Sequence, residues 1–164
     1  MAGYGTNAGF IAYAEAAGYV IPDGTTDEQK AAARQRGSLV IDRYEPKFSG
    51  RRKAGYAQER VWPRTGATTR WGEAIGENDV PVVVVNACYE AAFLELTNPG
   101  SLSPVVVGAE VVKREKVGPL ETEYAALTSA SPTDAAAMAT PVVTIIDGML
   151  WPFFTPAMPG ILVV

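Results

Sequence analysis

The chain has 164 residues and a mass of 17.4 kDa, with 48% apolar and 20% charged residues; this supports one domain with a real core and excludes wholesale disorder. Cys88 is the single cysteine and there is no histidine, which excludes an intrachain disulfide, a Ser-His-Asp triad, a Cys-His dyad and any His-based metal site. The formal net charge of −4 hides a segregation: residues 29–70 hold eleven of the fourteen basic residues and three acids, a net +8, while the rest of the chain sums to −12.

Thr6 or Asn7 can cap a first helix over about 7–17, with Phe10, Tyr13, Ala14 and Ala17 on one face and Gly18 just past its end. Residues 20–24 read as a turn. Thr26 and Gln29 then form a capping box, with Asp27 and Glu28 in the first turn of a second helix. It is predicted to run from 27 to 45, with Ala33, Gly37, Val40, Ile41 and Tyr44 inward and Pro46 as its stop. Residues 46–79 lack a sustained period and form a long irregular loop; a loop of that length is expected to be functional or packed on a neighbour.

The third helix is the clearest element. Asp79 is predicted as its cap, Pro81 in its first turn and Asn98-Pro99-Gly100 as its stop after Thr97. Its circumference is apolar except for a narrow stripe of Asn86, Glu90 and Thr97, so it should be buried on most sides, within the subunit or against another. Residues 105–125 alternate around Gly118-Pro119 and predict a short β-hairpin. Residues 129–139 are small and polar, hence loop. Thr140-Pro141 opens a fourth helix bearing Val142, Val143, Ile145, Ile146, Met149, Leu150 and Phe153, with Pro152 near its end. Residues 155–164 form an extended apolar tail ending in Ile161, Leu162, Val163 and Val164. The expected fold is thus mainly α: a small bundle of about four helices over 1–154, with a hairpin, a long loop and a tail. No apolar run reaches the length of a membrane span, and the first residues carry no basic n-region, so a soluble protein made in a reducing cytosol is expected.

Chemistry is sparse. No P-loop is present, and no Gly-x-Gly-x-x-Gly follows a strand. Glu121 and Glu123 lie two apart on a predicted strand, so both face one way into solvent. Asp42 and Glu45 each have an arginine or lysine within two residues, which argues against metal ligation. Cys88 sits in the buried helix with no histidine to activate it. No catalytic residue, metal site or cofactor is expected, and the chain reads as a non-enzyme. The constellation with binding character is basic and aromatic: Tyr44, Phe48, Tyr56, Trp62 and Trp71 interleave with Arg51, Arg52, Lys53, Arg60, Arg64 and Arg70. Those six cations are candidate contacts to DNA or an acidic partner, since single-strand binders stack bases on rings and follow phosphates with cations. Alternatively, Trp62 and Trp71 anchor the loop on the core while the arginines reach past them to water.

Several strings carry a resemblance: Gly3-Tyr4-Gly5-Thr6, Arg36-Gly37-Ser38, Ile41-Asp42, the run from Gln58 to Ala67, Asn98-Pro99-Gly100-Ser101-Leu102, the run from Val112 to Gly118, and Glu121 with Glu123-Tyr124. Over about 1–154 the chain resembles a tailed-phage and prophage family labelled DnaT-like single-stranded DNA-binding protein. The order of elements is also similar to the head-tail adaptor, or head-completion, family of long-tailed phages. It shares a Pro-started, Ala-rich, Tyr-bearing helix (Pro81 to Leu96), an extended hairpin (Val111 to Tyr124) and a Pro-started last helix (Thr140-Pro141 to Leu150). That second resemblance implies a virion protein of the neck, made in the bacterial host cytoplasm. It implies a ring of copies, commonly a dodecamer, joining the portal to a tail-side stopper or tail terminator, with genomic DNA passing non-specifically through the lumen and no membrane contact. Ile161, Leu162, Val163 and Val164 are then expected to dock on the portal or a neighbouring subunit, rather than fold back on their own helices. A single-strand binder of a replication primosome is the alternative.

Overall fold

A computed structural model describes residues 3–102, 114–117, 120–123 and 144–156. The chain divides into two units, Met1–Pro99 with Val142–Val164, and Gly100–Pro141.

In the first unit, α1 spans Asn7–Ala16. Thr6 is its cap, its Oγ1 accepting from Gly9 N at 3.0 Å, which decides between the two candidates the sequence offered. The capping box of α2, Asp27–Asp42, is complete: Thr26 N donates to Gln29 Oε1 and Gln29 N to Thr26 Oγ1. This helix stops three residues short of the predicted 45. The Pro46 ring would meet the carbonyl of Asp42 if the helix ran on, so the chain leaves at Asp42 and Pro46 sits in a 3-10 turn, Glu45–Lys47.

α3 spans Val82–Thr97. Pro81, extended at ψ 135°, is its N-cap and has no side chain to donate to, so Asp79 is not the cap. Asp79 instead closes a turn, its N–H donating to Gly76 O at 3.0 Å. α3 is the central helix: it packs on α1, on α2 and on α4, Thr144–Leu150. Phe10, Ala33, Tyr89 and Ala92 form a buried cluster with Tyr13, Ile21, Val85, Phe93 and Leu96 packed against it. Ile146 and Leu150 of α4 are fully buried. Within the polar stripe Glu90 is buried. Its carboxylate accepts from Tyr13 Oη at 2.6 Å and from Tyr19 Oη at 3.1 Å, which satisfies the charge inside the fold. The predicted start of the last helix, at 140–143, lies outside the described residues. After α4 a 3-10 turn, Trp151–Phe153, carries Pro152.

The irregular stretch 46–79 is held on its own chain. A two-residue antiparallel ladder joins β1, Arg51–Arg52, to β2, Arg64–Thr65, and a bridge joins Thr68 to Ala74. Phe48, Val61, Trp62 and Ala67 are buried. Trp62 meets Phe48 and Phe153 edge-on at 5.5 and 6.2 Å, and Phe48 bridges to Phe154. The second unit contains an antiparallel hairpin of β3, Arg114–Val117, and β4, Leu120–Glu123, paired Arg114↔Glu123 to Val117↔Leu120. This is the centre of the predicted 105–125 hairpin; its outer parts, and Ile161 to Val164 of the tail, lie outside the described residues.

Candidate nucleic-acid interface

The basic segment is best followed from α2 outward. Asp42, the last residue of α2, gathers three groups. Its Oδ1 accepts from Tyr4 Oη at 2.9 Å and Val61 N at 3.2 Å, and its Oδ2 from Arg60 Nη1 at 2.8 Å. The Tyr4 hydroxyl in turn accepts from Trp62 N at 3.1 Å. This carboxylate is therefore a clasp between the N-terminal segment, α2 and the loop. Glu45 has a parallel role: Arg52 holds it through two short bonds, Nε at 2.8 Å and Nη2 at 2.6 Å, and Arg64 lies 3.6 Å away. The Arg52 hydrogen bonds hold the Glu45 carboxyl below its ordinary range.

Two of the six candidate contact cations are thus inside the fold. Arg60 is 8% exposed, and Arg64 is 3% exposed with its guanidinium donating to the Ser49, Gly50 and Val61 carbonyls. Both guanidinia, candidate contacts from the sequence, are turned into the fold rather than toward solvent. The chain path brings a carboxylate near each, Asp42 to Arg60 and Glu45 to Arg64, a pairing invisible in the order of residues. Arg52 is half-buried on Glu45. Arg51 and Lys53 are exposed, and Lys53 Nζ donates to Asn78 Oδ1. Arg70 lies over the Trp151 ring, 4.5 Å from its centroid, and its N–H donates to Pro152 O at 2.7 Å.

The aromatic residues split the same way. Phe48 and Trp62 anchor the loop in the core, whereas Tyr56 is fully exposed and Trp71 is 66% exposed. Trp71 meets Trp151 edge-on at 5.8 Å, and Trp151 is itself 45% exposed. The sequence reading missed Trp151. The signal for it was Pro152, which ends the helix and leaves the preceding indole at its outer end. Trp71, Trp151 and Arg70 form an outward-facing cluster of two indoles and a guanidinium.

Elsewhere the surface offers little chemistry. Cys88 is buried with its sulfur 3.2 Å from Ser38 Oγ, and burial pushes its thiol up to about 11. An open groove of about 220 Å³ between α2 and the end of α3 is lined by Ala32, Ala33, Leu96 and the paired Arg36 and Glu95. Among the described residues no group of three or more Cys, Asp or Glu side chains could hold a metal ion.

Fold and surface define a small, mainly α protein with an N-terminal clasp, a stapled basic loop and an exposed aromatic–cation cluster. The chain belongs to the family described as "Putative DnaT-like ssDNA binding protein", whose family model matches residues 2–162. No curated protein and no solved structure matches it.

Proposed function

We propose that the protein is a structural component of the phage neck: a head-tail adaptor that forms a ring between portal and tail and surrounds the DNA channel. The observation that carries this reading is the fate of the basic segment. Arg34 is held by Asn7 and by the Tyr4 and Gly5 carbonyls, Arg36 by Glu95, Lys47 by Asp147, Arg52 and Arg64 by Glu45, and Arg60 by Asp42. A single-strand binder needs cations available to phosphates; Arg60 and Arg64 are shielded, while Arg36 and Lys47 stay more than half exposed beside their partners. Val20, Leu39, Val82, Ile145, Trp71 and Trp151 are exposed on the first unit, side chains suited to protein contacts, and Trp71 adjoins Trp151. The similarity in element order to adaptors supports the same reading. The function is mechanical and non-catalytic, with no cofactor: extending the portal channel, presenting a platform to a stopper or tail terminator, and helping to retain DNA in the virion. Negative-stain imaging of the purified protein with portal tests it; a ring docked beneath the portal is expected, and a portal without added density overturns it.

A second reading, a single-strand binder of a replication primosome, is favoured by the Trp71–Trp151–Arg70 cluster and by the family's description. Oligonucleotide titration separates the two. Weak or absent binding near physiological salt is expected; sub-micromolar, salt-sensitive binding abolished by neutralising Arg51, Arg52 and Lys53 favours the second reading.

A further inference from the structure

We infer that α2, α3 and the basic loop form a peptide-recognition slot, that its resident ligand is the chain's own segment Gly3–Thr6, and that this segment is a latch able to leave while the helices stay folded. The inference is independent of the adaptor reading. Arg34, Ser38 and Asp42 stand at i, i+4 and i+8 on α2, one above another on a single face. Ser38 is fully buried, and its Oγ donates to Arg34 O one turn back at 2.7 Å, which leaves its lone pairs to receive a donor from outside the helix. Tyr4 N is that donor, at 2.8 Å. Arg34 Nη1 donates to the Tyr4 and Gly5 carbonyls at 3.1 and 2.8 Å, and its Nε to Asn7 Oδ1 at 3.0 Å. Tyr4 Oη reaches Asp42 one turn further on, about 6 Å along the axis from Ser38. From α3, Tyr89 Oη accepts from Thr6 N at 3.0 Å, and the loop supplies Trp62 N, which donates to Tyr4 Oη.

The segment is read as a ligand is read. Tyr4 N, Tyr4 O, Gly5 O and Thr6 N all meet side chains of other elements, where a strand in a sheet would meet backbone. Its shape is specified as well. A Cβ at Gly3 would lie 2.8 Å from the backbone C and O of Arg34, and one at Gly5, where φ is 69°, would run into the Tyr89 hydroxyl. Tyr4, 6% exposed, is the side chain that enters the interior. The helix that follows has its own anchor, because Phe10 and Ala14 are buried and the Phe10 ring meets that of Tyr89 at 5.8 Å. A short segment held by one ring and a set of side-chain hydrogen bonds opens at lower free energy than helices held by packing. Its release frees the Arg34 guanidinium from the two carbonyls and leaves Asp42 with Arg60 and Val61 N, so the latch sets how firmly the loop is tied to α2.

Amide hydrogen exchange on the full chain tests this, with synthetic peptides as probes. In Gly5→Ala the latch cannot seat, while the helical circular dichroism should match wild type. The Thr6 and Trp62 amides should then exchange at least about tenfold faster, and amides inside α2 and α3 should keep their wild-type rates. An excess of the peptide Ala-Gly-Tyr-Gly-Thr-Asn, residues 2–7, should restore protection of the Trp62 amide, and the same peptide with alanine in place of Tyr4 should not. Tyr4→Phe removes only a hydroxyl and should give the same confined pattern, read at Thr6 because Trp62 N loses its acceptor directly. If Gly5→Ala does not fold, Tyr4→Phe decides by the same criteria, peptides included. Acceleration spread evenly over α2 and α3 makes the segment part of the core and overturns the latch. Unchanged rates at Thr6 overturn the seating contacts, and equal effects of the two peptides overturn the slot.

Discussion

Asp42 shows how a single side chain can organise a segment that has almost no secondary structure. It ties Tyr4, Arg60 and the Val61 amide to the end of α2, and both it and Arg60 are largely shielded from water. Replacing Asp42 with Ala leaves a shielded guanidinium, a phenol and an amide without their acceptor. The expected loss is about 3 kcal/mol, near the low end for breaking a buried pair, and denaturant unfolding would read it as a lower midpoint. In the sequence Asp42 was visible as an acid with an arginine beside it and as part of the Ile41-Asp42 string. Its partners lie eighteen or more residues away, so nothing local announced the clasp. Cys88 was more legible, because a lone cysteine inside an apolar helix reads as a small buried hydrophobe. With its thiol raised to about 11, very little thiolate exists at pH 8 and the sulfur is shielded. Alkylation of the native protein at pH 8 should therefore be far slower than that of the unfolded chain, and mass spectrometry of timed samples measures both; equal rates would contradict the burial.

At the scale of elements, what the sequence made readable was what local chemistry decides. The Thr26–Gln29 box, the Gly18 turn with φ 75°, the Pro81 start and the Asn98-Pro99-Gly100 stop all act within one turn of the residue that causes them. The ladder of β1 and β2 was not readable, because each strand is two residues long and is specified by tertiary pairing. The α2–α3 contact depends on Gly37. A Cβ there would lie 2.6 Å from Cys88 O and 2.9 Å from Ala92 N, both backbone atoms of the facing helix. Gly37→Ala should thus cost about 1–3 kcal/mol by overpacking, despite the better helix propensity of alanine; calorimetry should show a lowered Tm, and an unchanged or raised value would refute the close approach. The seam between α1 and α3, at Tyr13, and the Asp42 clasp, at Tyr4, respond to alkali instead. Burial, then the Glu90 hydrogen bond, raises the Tyr13 phenol above its ordinary value of 10; burial, then Asp42, raises that of Tyr4. Both phenols keep their protons to higher pH when folded than when unfolded. Their contribution to stability is therefore complete below about pH 10 and declines as the unfolded chain begins to ionise. Unfolding midpoints should fall above that pH, and Tyr13→Phe should reduce the slope.

For the whole molecule, the segregation of charge was plain in the sequence, but which cations face water was not, because that follows from the fold that pairs them. The two chain segments of the first unit meet through a similar long-range arrangement. Phe153 and Phe154 are buried, Phe154 bridges to Phe48, and the N–H and Oγ1 of Thr155 both donate to Lys47 O at 2.7 Å. Residues 153–155 thus tie the later segment of the first unit to the earlier one, and Ile161-Leu162-Val163-Val164 follows them in the sequence. Four such side chains contribute on the order of 6–10 kcal/mol before ordering costs when buried, at about 1.5–3 kcal/mol each, enough to matter in docking to the portal or a neighbouring subunit. Two truncations separate a docking peptide from part of the core. Deleting 157–164 keeps the Thr155 clamp, so the helical circular dichroism and the Tm should match the full chain while attachment to ring or portal is lost. Deleting from Phe153 onward removes two buried rings, at about 3–5 kcal/mol each, and should unfold the subunit. If the shorter deletion also unfolds the subunit, the last residues belong to its own core and the docking assignment of Ile161 to Val164 is wrong; if it leaves both fold and attachment intact, those four residues have no part in assembly.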